Sequence, residues 1–120
     1  MAKEKRPETY SAVQAKIGER IRWARELVEP NRAAFAREMG VDRSTLQKIE
    51  DGDRAPSIFN VLDLSHRLRV SPDYILNGSL KGVDGEMAGL LVASHPELAP
   101  DNDTARGSGT YRLPRKPKPS

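Results

Sequence analysis

The stretch from Asn31 to Gly52, NRAAFAREMGVDRSTLQKIEDG, constrains this chain most, because its small, glycine and apolar positions recur at helical spacing on either side of one tight turn. Asn31 is a favoured N-cap, and Phe35, Ala36 and Met39 then fall on one face of a short amphipathic helix. Gly40 is expected to end that helix, since glycine enters the left-handed C-terminal conformation without a steric cost. After Val41, Asp42 reads as a second N-cap, and Leu46 and Ile49 give the following helix its buried side. Two short helices on so tight a turn must approach closely, and Ala36 is small enough to let them.

The second helix of the pair, about 43–51, is left with Arg43, Ser44, Gln47 and Lys48 on its outward face. That face is polar and basic and carries groups able to read base edges: an arginine fork suits guanine, a glutamine amide suits adenine, and serine is permissive. A helix of this kind fits the major groove of DNA. Taken alone, the same residues also suit an ordinary solvated helix surface. The spacing of Ala36, Gly40 and Leu46 around them favours the DNA reading.

The pattern continues on both sides. Residues 17–78 resemble the Cro and phage-repressor type of helix-turn-helix domain, the XRE family. Upstream, IGERIRWARELV is similar to that family's first helix, with Ile17, Ile21, Ala24 and Val28 on one stripe. Downstream, KIEDGDRAPSIFNVLDLSHRLRVSPDYILNG resembles its ending, with Ser57 capping a fourth helix and Ser71, followed by Pro72, a fifth.

The resemblance implies an all-α, five-helix, lambda-repressor-like DNA-binding domain in a sequence-specific transcriptional regulator. It further implies a homodimer on a two-fold operator, with recognition helices about 34 Å apart. By residue, it implies that Arg43, Ser44 and Lys48, together with Gln47, touch bases. Arg32 stands where the family usually has glutamine, and there it is expected to meet a phosphate. Asp51, Gly52 and Arg54 match the loop whose amides and basic side chain approach the DNA backbone. Arg25 and Glu50 match a buried salt bridge between the first and third helices, a structural role. The chain departs from the family between the first two helices, where Glu29 and Pro30 replace a glycine and an apolar residue; Pro30 should stop the first helix.

Length and charge agree with one small domain. The chain has 120 residues, 37% of them hydrophobic, enough for one core of about 60 to 70 residues plus tails. Net charge is only +3, and residues 15–78 hold eleven basic against ten acidic side chains, so DNA affinity must come from clustering. Cysteine is absent, which excludes disulfide frameworks and thiolate metal sites. No apolar run reaches membrane-span length and no signal-peptide core is visible, so the expected location is the cytoplasm, on the nucleoid. His66 and His95 fall in no triad or metal-ligand arrangement, and no phosphate-cradling glycine loop is present; no enzymatic activity and no cofactor are expected.

Four segments result. Residues 1–14 read as a flexible arm whose Lys3, Lys5 and Arg6 could follow the duplex, or as a leader without a role. Residues 15–78 are the helix-turn-helix domain. Within the linker 79–99, residues 83–94 suit one more helix carrying Met87, Leu90 and Leu91, either a dimerisation element or an element packing back near Trp23. Residues 100–120 read as a disordered basic tail that adds salt-sensitive DNA attraction or solubility. Two other readings stay open: an antitoxin or adaptor acting through protein contacts, for instance with RNA polymerase, and a DNA-structuring protein with little sequence preference.

Overall fold

One long helix organises the chain. In a computed structural model residues 2–99 are described, with side chains from Tyr10 onward. The expected basic tail, and the side chains of Lys3, Lys5 and Arg6, lie outside the described residues. Helix α1 runs Ala2–Val28, α2 Arg32–Met39, α3 Arg43–Asp51, α4 Ile58–Leu68, α5 Pro72–Asn77 and α6 Gly85–Ser94, followed by a 3-10 turn over Pro96–Leu98. The described residues are all-helical, as expected, and α1 packs against each of the five other helices.

The ends of these helices follow from local chemistry. The Asn31 side chain accepts from the Ala34 amide at 3.0 Å and starts α2. Gly40 closes it in the left-handed region at φ 78°, and the Val41 amide returns to the Ala36 carbonyl at 3.0 Å. Asp42 stands at the N-cap of α3 in extended conformation, yet its exposed side chain makes no capping hydrogen bond. Ser57 and Asn60 form a reciprocal capping box on α4, and Ser71 with Pro72 starts α5.

Ile17, Ile21 and Ala24 of α1 meet Phe35, Ala36, Leu46 and Ile49 on one side and Leu64, Leu68, Tyr74 and Ile75 on the other in a single buried cluster. Each large side chain so placed contributes about 1.5–3 kcal/mol. Val28, expected on the same stripe, is 43% exposed because α1 ends there.

Two expectations for the flanks are corrected. The segment read as a flexible arm is the start of α1, although Pro7 removes one amide from its hydrogen-bond ladder. The helix at 83–94 is α6, but it is not a free surface: Met87 and Leu91 are buried in the common core, and Trp23 stacks on His95 with ring centroids 3.9 Å apart. Only Leu90 of its apolar trio faces outward.

Where α1 crosses the end of α3, the backbones nearly touch. A Cβ on Gly18 would collide with the carbonyl oxygens of Ile49 and Glu50, and the Gln14 side-chain amide donates to the Gly52 carbonyl at 3.1 Å. The neighbours are backbone atoms of a helix, which cannot swing aside. Gly18→Ala is therefore expected to lower stability by about 1–3 kcal/mol despite alanine's better helix propensity, whereas Gly89→Ala, in an open position on α6, is expected to raise it by up to about 1 kcal/mol. Urea unfolding of the two variants checks this; equal stabilisation by both would contradict the close approach.

Candidate nucleic-acid interface

Helix α3 has two chemically distinct sides. Leu46, Ile49 and Glu50 are buried, while Arg43, Ser44, Gln47 and Lys48 are all exposed. The fold thus brings together on one face the four side chains that the sequence singled out. Four donors or acceptors of base-edge type stand there with no intramolecular hydrogen bond, on a helix whose opposite side is pinned.

The pin is ionic. The Arg25 guanidinium grips the Glu50 carboxylate with two bonds, Nε to Oε2 at 2.8 Å and Nη2 to Oε1 at 2.9 Å. Its Nη1 donates to the carbonyls of Glu29 and Pro30 at 3.1 and 2.9 Å. The atypical pair between α1 and α2 thus supplies the oxygens that close the end of α1, and Asn31 adds a 2.8 Å bond from its amide to the Glu29 side chain. Both partners of the ion pair are buried, the side chains 2% and 0% exposed. The hydrogen bond to Glu50 raises the Arg25 pKa above its ordinary value, outweighing the burial that lowers it.

Arg32 departs from its expected assignment. Its Nε donates to Glu50 Oε1 at 3.0 Å, so one carboxylate ties together α1, α2 and α3. The side chain remains 26% exposed, and its two terminal nitrogens make no hydrogen bond to a described residue. Sequence periodicity gives no hint of this contact, because the partners are eighteen residues apart on different helices.

The loop after α3 differs as well. The Gly52 amide returns to the Ile49 carbonyl at 3.1 Å, and those of Asp53 and Arg54 return to the Lys48 carbonyl at 2.9 and 3.2 Å. These amides close α3 rather than pointing away from it. Among the loop positions singled out, Asp51 and Arg54 are exposed, and Gly52, at φ 84°, is pressed against Ala15.

Residues 21–75 match the family model for the helix-turn-helix. They are a helix-turn-helix domain of the Cro and phage-repressor type. Among curated proteins, the Repressor protein C2 of Salmonella phage P22 is 38% identical over 64 residues, covering 53% of this chain and 30% of the repressor. The chain therefore spans less than a third of that relative's length. No solved structure matches it significantly. The helix-turn-helix family is not an enzyme family.

Other chemistry has no foothold beside the helix-turn-helix domain. His66 is exposed on α4, and His95 is taken up by Trp23. Among the described residues no cluster of histidine and carboxylate side chains could hold a metal, and no helix is long and apolar enough to cross a membrane.

Removing the Glu50 carboxylate strands two guanidinium groups, one of them fully buried. Glu50→Ala is expected to lower stability by about 3–5 kcal/mol. Arg32→Ala, which leaves the Arg25 grip intact, is expected to cost only about 1 kcal/mol. The urea midpoints of the two variants measure the difference; a Glu50→Ala chain as stable as the wild type would contradict the clamp.

Proposed function

We propose that this chain is a sequence-specific DNA-binding transcriptional regulator that lays α3 in the major groove. The observation that carries this reading is the two-sidedness of α3: a fixed inner side, and an outer side whose only unmet polar groups are Arg43, Ser44, Gln47 and Lys48. A rigid helix with such side chains is what direct readout of base edges requires. The likeness to a phage repressor supports it.

In this reading Arg43 takes a guanine edge, Gln47 an adenine edge, and Ser44 and Lys48 adjoining positions. Arg32, held by Glu50 through Nε, presents its free nitrogens to a phosphate, and Arg54 meets the backbone beyond the end of α3. Such contacts fix register and carry the salt dependence of binding, while base contacts carry sequence. The regulator works in the cytoplasm as a homodimer on a two-fold site.

Arg43→Ala is expected to cost about 1–3 kcal/mol of binding and to relax preference at one base position. Arg32→Ala is expected to weaken binding to all sequences alike and to reduce the salt slope by about one unit. Both are read by competition gel shifts on duplexes selected from a random pool, at two salt concentrations. Uniform loss across sequences for Arg43→Ala would refute its base-reading role, and a wild-type chain with no sequence-preferring shift would refute the function.

A further inference from the structure

With α6 folded back onto the core, the apolar surface left uncovered lies elsewhere. Ile58, Phe59 and Leu62 on the first turns of α4 are 69%, 77% and 54% exposed. No other described helix presents three large apolar side chains within one turn and a half. We propose that this patch is a self-association surface, through which a second copy of the chain pairs with the first when the two occupy adjacent half-sites. The proposal rests on the DNA reading for its biological setting, and on the patch alone for the contact.

Three observations favour a second copy as occupant. First, the patch carries no unbalanced charge: Asp63 and Arg67 pair with each other at 2.9 Å, and the Asn60 side chain is engaged with the Ser57 amide at 3.2 Å. A two-fold axis sets every group opposite its own kind, so a surface free of net charge can meet itself without like-charge repulsion. Second, the position fits. Ile58 follows the end of α3 by seven residues, a reach of at most about 25 Å. Half-sites about 34 Å apart put the two-fold axis about 17 Å from each recognition helix, within that reach. Third, the size fits an assisted contact. Three side chains fall well short of the roughly 800 Å² per partner of a stable interface, so the pair gains its population from the millimolar effective concentration of two sites on one duplex.

Sedimentation velocity of the full chain without DNA, from about 10 μM to about 1 mM, tests the contact independently of the DNA reading. The wild type is expected to show concentration-dependent dimer that persists at high salt, as an apolar contact should. Phe59→Glu is expected to weaken self-association at least tenfold, since it places two carboxylates across the axis, and mixing it with Phe59→Lys is expected to restore association. Both positions are exposed, and a glutamate near the start of α4 suits its helix dipole, so an unchanged thermal melt is the fold control; Leu62→Lys serves as a second variant with the same expected loss. Duplexes with one and with two half-sites then give the same variants undiminished single-site affinity and lost cooperativity. The proposal is overturned if Phe59→Glu and Leu62→Lys sediment like the wild type. It is also overturned if the wild type stays monomeric at millimolar concentration because its own residues 100–120 or another protein cover the patch.

Discussion

A single buried carboxylate fixes the orientation of the helix on which every functional reading depends. Glu50 sits on the inner side of α3 and accepts from Arg25 on α1 and Arg32 at the start of α2. Burying a carboxylate without partners would be prohibitive, and burying it with two guanidinium groups leaves it little freedom to move. Such a pair adds little net stability compared with apolar residues of similar volume. Its effect is geometric: α3 has one seat in which the charges are met. Gly18 and Ala15 press on the same end of α3 from outside, so ionic and steric constraints converge on its last turn.

From that seat the rest follows. With Leu46 and Ile49 in the core and Glu50 in its clamp, helical periodicity leaves Arg43, Ser44, Gln47 and Lys48 outward, on a surface that need not reorganise to meet a ligand. Arg32 joins the two tasks, one edge of its guanidinium on the clamp and the other exposed. A phosphate bound there would act on the same carboxylate that orients α3, which links backbone contact to the set of the reading helix.

Much of this was legible in the sequence, for identifiable reasons. Asn31, Gly40, Ser57 and Ser71 mark helix ends through side-chain chemistry that acts over three or four residues, and such signals survive in one dimension. The core positions of α2 to α5 follow from periodicity, and Arg25 with Glu50 from the resemblance. What escaped depended on contacts between distant segments. The third arm of the clamp joins residues 32 and 50, and the Lys48 and Ile49 carbonyls take up the loop amides after α3. Gly18 is invisible as a turn because it sits inside a helix; its cost there was the one hint of a close approach. The first turns of α1 read as an arm because Pro7 and their polarity argue against a helix, and α6 stayed undecided until Trp23 and His95 were seen stacked.

The central claim is that a pinned α3 presents its outer face to DNA. Mapping amide chemical-shift changes during titration of the full chain with a selected duplex tests it most directly. The largest changes are predicted at residues 43–48, with the buried Leu64, Met87 and Leu91 little affected. An unperturbed α3, with the changes gathered on α5 and α6 instead, would contradict it.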